Sequence, residues 1–317
     1  HIILYTERNS VYRTLDVPEG LAMPMINPDR LLGDLRRLAE FGRFKSGVHR
    51  PTYSPPDMAS RMWLAEQYEL AGLAPCIDGV GNVFGRRPGV ERALLVGSHS
   101  ESQNHAGWLD GAMGVIFALE LVRAFAEDPA CAGLPVEPVA WADEETHFIS
   151  LLGSRSFIGD LDEAALDATT NKYTGQPLRE ALRTAGLEGR ARERIEPERY
   201  CGYLEAHIEQ GDALEASGMR IGIVTSIVGI WQYRIVFTGI QNHAGTTRMA
   251  VRHDAGVAAV RLCGLIAEQF PEVAGERSVW TTGRIDLHPG SASMIPGRAE
   301  VLFQFRDEDE AVLQRLH

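Results

Sequence analysis

The sequence predicts an α/β protein: a helix-covered, mainly parallel sheet followed by a smaller α+β unit of split βαβ type. Three observations carry this. Ala93-Leu94-Leu95-Val96-Gly97 and Val136 to Ala142 are continuous apolar runs of strand length, as expected of strands covered on both faces. Between them, Val115, Ala118, Leu119 and Val122 recur at helical spacing within Gly111 to Phe125. Near Gly229 the pattern changes, and Tyr233, Ile235 and Phe237 alternate with Arg234, Val236 and Thr238 as in a half-buried strand. A chain of 317 residues, 44% of them hydrophobic, can bury a sizeable core and suggests two domains, drawn here at 1–228 and 229–317.

Residues 1–28 read as irregular, with Pro18, Pro24 and Pro28 breaking any element. Leu31, Leu32, Leu35 and Leu38 are helically spaced. Ser54-Pro55-Pro56 opens a second helix with proline in its first turn, running to Gly72. Cys76 to Phe84 reads as a hairpin around Gly79, Gly81 and Asn82. After the strand, helix and strand described above, Leu151 to Ile158 is a short helix, and 160–200 is charged helix and loop. Tyr203 to His207 reads as one strand with its His near the end. Past Gly229 come a helix from Asp254 to Phe270, strands at Ser278 to Leu287 and Ala299 to Arg306, and a helix from Asp307. In the last strand Val301, Phe303 and Phe305 alternate with Leu302, Gln304 and Arg306, which turns Arg306 away from the core face.

Bulk properties exclude several classes. The formal charge is −12, from 31 basic and 43 acidic residues, with no Lys/Arg-rich run, which argues against a nucleic-acid partner. No apolar run reaches membrane-spanning length. Cys76, Cys131, Cys201 and Cys263 are scattered without a Cys-x-x-Cys pair, which removes a zinc-ribbon or thioredoxin reading and fits reduced thiols in a cytoplasmic protein. The start, His1-Ile2-Ile3-Leu4-Tyr5, is too short for a secretory signal.

Five candidate ligands fall at predicted strand ends or in the loops behind them, the edge where open α/β sheets build sites. They are His99 in Gly97-Ser98-His99-Ser100-Glu101, Asp110 before Gly111, the pair Glu144-Glu145, and His207 in His207-Ile208-Glu209-Gln210-Gly211. A two-metal hydrolase needs a bridging carboxylate, terminal imidazole and carboxylate ligands, and a free carboxylate to take a proton from water. Asp110 can bridge, His99, Glu145 and His207 can be terminal ligands, and Glu144 is left as the general base. His105, between two of these, reads as a loop residue.

These stretches resemble the amidase, hydantoinase and carbamoylase branch of the M20 metallopeptidase family, which holds N-carbamoyl-L-amino acid hydrolases, β-ureidopropionases and allantoate amidohydrolases. The resemblance also rests on Gly47-Val48-His49-Arg50, Tyr53-Ser54-Pro55, Gly81-Asn82-Val83-Phe84-Gly85 and Leu152-Gly153-Ser154-Arg155. Further along it includes His243-Ala244-Gly245-Thr246-Thr247 and Ile295-Pro296-Gly297-Arg298. It covers roughly residues 30–316, and His207-Ile208-Glu209-Gln210-Gly211 is its most specific piece. It implies His99, Asp110, Glu145 and His207 as ligands of two divalent ions (zinc first, manganese or cobalt as alternatives) and Glu144 as base. Gln210, His243 and Arg306 are implied as residues that hold the substrate. It implies a catalytic domain with an inserted lid domain that also forms a homodimer.

Four departures stand out. Glu101 occupies the place of an Asp that orients the first imidazole. Asp143-Glu144-Glu145-Thr146-His147-Phe148 is one residue shorter than Asp-Glu-Glu-Gly-x-Arg-Phe and lacks its Arg. Ser293 replaces an Asn at a substrate-binding position. The family's fifth protein ligand, a His from a C-terminal return to the catalytic domain, is not among residues 1–317. The expected activity is metal-dependent hydrolysis of a non-peptide C–N bond in an N-carbamoyl or related N-acyl or ureido amino acid, a small substrate bearing a carboxylate. The alternatives are a non-catalytic dimeric ligand-binding relative and an M20 exopeptidase or deacylase.

Overall fold

The computed structural model describes residues 2–5, 24–131, 133–225 and 227–317. The chain divides into two compact units, His1–Thr225 and Ser226–His317.

The first unit is built on a five-stranded sheet in the order Ala74–Ile77, Val83–Arg86, Val136–Trp141, Ala93–His99, Tyr200–Leu204. The last three are parallel, and the first two form an antiparallel hairpin at one edge. Helix Ala112–Glu127 makes the crossover between the parallel strands Ala93–His99 and Val136–Trp141, and ten of its residues are buried. It is apolar nearly all round because it lies between the sheet and a further helix, Pro28–Glu40, which contributes Leu35 and Leu38 to the same core. Each fully buried Leu or Ile here, such as Leu119 and Ile116, stabilises the fold by about 1.5–3 kcal/mol. Leu95, Val139, Phe84, Trp141 and Phe157 form a separate cluster.

Several boundaries differ from the sequence expectation. The Leu-rich helix starts at Pro28, because Asn27 accepts the Arg30 N–H as an N-cap and proline suits the first turn. Ile2–Tyr5, expected to be irregular, is a strand parallel to Ile221–Val224 and antiparallel to Ala206–His207. Its partners lie some two hundred residues away in the chain, so local pattern could not reveal them. The rest of that irregular stretch, through residue 23, lies outside the described residues. The single strand expected at Tyr203 to His207 is broken at Glu205. Tyr200–Leu204 joins the central sheet, and Ala206–His207 joins the small one. Glu205 sits at the break and accepts hydrogen bonds from the Ser98 and Tyr203 hydroxyls.

The second unit is a three-stranded antiparallel sheet with Arg298–Asp307 in the middle, flanked by Gly229–Thr238 and Val279–His288. Helices Ala255–Val273 and Glu310–Leu316 pack on it. Ala299, Val301, Phe303 and Phe305 meet Ala259, Ile266 and Leu313 in its core, and Leu302, Gln304 and Arg306 are half-buried on the other face. Helix Ala255–Val273 runs past the expected stop at Phe270. Pro271 lies in its last turn, close to the end that it would otherwise break.

Candidate metal and catalytic site

His99 ends the strand Ala93–His99 and is buried. Its Nδ1 lies 3.1 Å from the Glu101 carbonyl, which fixes the Nδ1–H tautomer and leaves Nε2 turned to the site. Nε2 is 3.8 Å from Asp110 Oδ1 and 3.6 Å from Glu144 Oε2. Asp110 lies in the turn before helix Ala112–Glu127. Gly111 completes that turn with φ +64°, and a Cβ there would overlap the His99 ring, so the Asp-Gly pair is required twice over. His207 Nδ1 donates to the Ile208 carbonyl at 2.8 Å, and its Nε2 is 3.1 Å from Asp110 Oδ1. His99, Asp110 and His207 each offer a ligand atom, all within 4.8 Å of one another. Two imidazoles and a carboxylate at this spacing suit zinc, manganese or cobalt.

The electrostatics follow from crowding five carboxylates, Glu101, Asp110, Glu144, Glu145 and Glu205, around two imidazoles. Burial pushes His99 toward neutrality, but Glu101, then Glu144, Glu145 and Asp110, outweigh it and raise its pKa. Burial likewise opposes the charge on His207. The hydrogen bond to Asp110 and the Ile208 carbonyl overcome it and raise the pKa to about 9. Burial would raise the Asp110 carboxyl, yet the His207 hydrogen bond and the His99 charge hold it below the ordinary range. Glu144 goes the other way. Burial, with the neighbouring Glu101, Glu145 and Glu205 carboxylates, raises its pKa against the pull of His99. Carboxylates pushed apart in this way suit different chemical roles.

The Glu144-Glu145 pair sits on a turn with φ +55° at Asp143 and +59° at Thr146. Such non-glycine conformations cost on the order of 1–3 kcal/mol each. Asp143 offsets this, because its buried carboxylate accepts the backbone N–H groups of His147, Phe148 and Ile149 and the Thr52 hydroxyl. Glu144 faces His99. Glu145 stands outside the three-residue cluster, and Gln103 Nε2 reaches both its carboxylate, at 2.9 Å, and its carbonyl, at 2.6 Å. Gln210 hydrogen-bonds Asp110 Oδ2.

The remaining candidates lie in the second unit. His243 and Ser293 are neighbours: Asn242–His243 pairs with Met294–Ile295, and the Ala244 N–H bonds the Ser293 carbonyl. Both side chains are exposed. Arg306 is eight residues from Arg298 along the same strand, a span of about 27 Å. The His243–Ser293 ladder continues from the Arg298 end. Arg306 and His243 are therefore at opposite ends of the unit.

Three residues that hold the site escaped the sequence reading: Arg61, Gln103 and Asp143. Arg61 had a signal. Asp57 and Arg61 are an i, i+4 charge pair on the face that also carries Leu64 and Tyr68, all buried. Asp143 stands at the head of its Asp-Glu-Glu run but was given no role, and Gln103 acts through loop contacts that leave no spacing pattern.

Paired histidines with carboxylates at the carboxyl edge of the parallel strands form a cluster that could hold a divalent cation. A model of peptidase family M28 matches residues 81–174. The chain is 34% identical to an N-carbamoyl-L-amino acid amidohydrolase of Geobacillus stearothermophilus, over 89% of this chain and 70% of that protein. It is 31% identical to an allantoate amidohydrolase of Bacillus subtilis, over 88% and 69%. A solved amidase of the hydantoinase/carbamoylase family from Burkholderia phymatum superposes with a TM-score of 0.83 at 46% identity, covering 93% of this chain and 73% of that one. The chain belongs to the hydantoinase/carbamoylase family of amidases.

Proposed function

We propose that the protein hydrolyses the carbamoyl C–N bond of an N-carbamoyl or ureido amino acid with two bound divalent ions, zinc, manganese or cobalt. The observation that carries this is the His99–Asp110–His207 cluster with Glu144 beside it, 3.6 Å from His99 Nε2. The printed names of the relatives support the substrate class. His99, Asp110 and His207 would hold the ions with Glu145 as a further ligand, Asp110 serving both. Bound there, such ions would supply Lewis-acid polarisation of the substrate carbonyl and a water acidic enough to attack near neutral pH. Glu144, its pKa raised, takes the proton of the attacking water and delivers it to the departing nitrogen. Gln210 orients Asp110. Arg306 pairs with the substrate carboxylate, for which a planar guanidinium is suited. The test is ammonia release by the full-length protein from N-carbamoyl-L-amino acids, abolished by a chelator and restored by added Mn²⁺ or Zn²⁺. Chelator-resistant turnover, or turnover of dipeptides alone, would overturn the reading.

The separation of Arg306 from His243 supports a homodimer. One small substrate cannot span about 27 Å, so a site that uses both draws the partner subunit's His243. His243→Ala and Arg306→Ala are each expected to be nearly inactive alone. Mixed and allowed to exchange subunits, they should recover about a quarter of parental activity, since half the dimers are hybrid and each hybrid has one intact site of two. No recovery on proven exchange would place both residues in one chain's site or neither.

A further inference from the structure

Arg61 is wholly buried on helix Pro55–Leu70 and stands behind the candidate ligands rather than among them. Its contacts are specific. Nε donates to Asp57 Oδ2 at 3.0 Å, and Nη1 donates to the carbonyls of Gly81 and Trp141 at 2.8 and 3.3 Å. Nη2 donates to Glu101 Oε2 at 2.8 Å. Glu101 then has two tasks. Its other carboxylate oxygen, Oε1, accepts the Glu144 N–H at 2.6 Å, and its backbone carbonyl receives His99 Nδ1–H. Trp141 ends the strand that leads into the Glu144 turn. One guanidinium thus grips the roots of both loops, the one carrying His99 and the one carrying Glu144.

Buried ion pairs are poor sources of stability, because desolvation offsets their attraction, and apolar replacements of similar volume often do as well. Stability alone therefore accounts poorly for a fully buried Asp57–Arg61–Glu101 array. The planar fork accounts for it better, since an ammonium could not meet two carboxylates and two carbonyls in these directions. We propose that Arg61 is a positioning residue that acts through Glu101 to set the spacing between the His99 imidazole and the Glu144 carboxylate. The proposal rests on the reading of His99 as a ligand and Glu144 as the base.

The experiment compares full-length Arg61→Lys with Leu64→Ala. Leu64 is buried on the same helix but belongs to the apolar core. Two readouts are taken: the His99 Nδ1–H resonance and its solvent exchange in metal-free protein, and kcat and KM on an N-carbamoyl amino acid with metal restored. Arg61→Lys should speed exchange at His99 and lower kcat by about 10–100-fold, the usual effect of losing support behind a metal ligand, with little change in KM. Leu64→Ala should lower the melting temperature at least as much and leave both readouts near parental values. If Arg61→Lys fails to fold, the charge-balanced pair Asp57→Asn with Arg61→Gln takes its place under the same expectations. Equal behaviour of the arginine variant and Leu64→Ala would reduce Arg61 to a structural residue. If no carbamoyl substrate is turned over by the parent, the functional reading falls, and the metal-free exchange measurement still decides the role of Arg61.

Discussion

Glu144→Gln is expected to keep its metal and lose about 10²–10⁴-fold in kcat, the range contributed by a general base. The amide matches the carboxylate in shape but cannot accept the proton of an attacking water. Position favours this role. The Glu144 backbone is tied to Glu101, while its carboxylate is free to face His99 Nε2 from 3.6 Å. Its raised pKa, from burial and the carboxylates around it, brings it nearer to the pH at which a base is both ionised and able to hold a proton. Elemental analysis and steady-state kinetics on the same sample check the prediction. Glu145 makes the opposite outcome informative, because its carboxylate is bonded to Gln103 and stands apart from the histidine cluster. If Glu144→Gln loses metal while Glu145→Gln retains it, the two roles are exchanged.

Asp110→Ala should abolish both metal binding and turnover. Asp110 is the carboxylate common to both imidazoles, 3.1 Å from His207 Nε2 and 3.8 Å from His99 Nε2. Removing it leaves two imidazoles that no longer share an anionic partner, and His207 loses the strongest opposition to its desolvation. The fold should survive, since Asp110 lies in a loop at the sheet edge, outside the apolar clusters. The check is metal content by elemental analysis alongside the circular dichroism spectrum. Two ions retained in a folded Asp110→Ala protein would end the bridging assignment.

The sequence made His99, Asp110 and His207 legible for different reasons. His99 ends a buried apolar run, Asp110 stands in the turn before the helix that follows it, and His207 was carried by its motif, since the strands around it are only partly buried. Gly111 was visible as well, although only the structure shows that the His99 ring excludes a side chain there. Arg61's pairing with Asp57 was within reach of the sequence, but its tie to the site was not, because Glu101 and the Gly81 and Trp141 carbonyls come from three other segments. Ile2–Tyr5 failed for the same kind of reason, since its pairing is wholly non-local. In the second unit, alternation identified the face that carries Arg306. It could not say at which end of the sheet His243 would stand, because that depends on register.

The two hydrogen bonds of His207 have a further consequence. With Nδ1 donating to a carbonyl and Nε2 to Asp110, the imidazole carries both protons and holds them up to about pH 9. Any cation that takes Nε2 as a ligand must first expel one of them. If the proposed divalent cation is taken up here, its entry would release at least one proton, and acidification of the surroundings would compete directly with it.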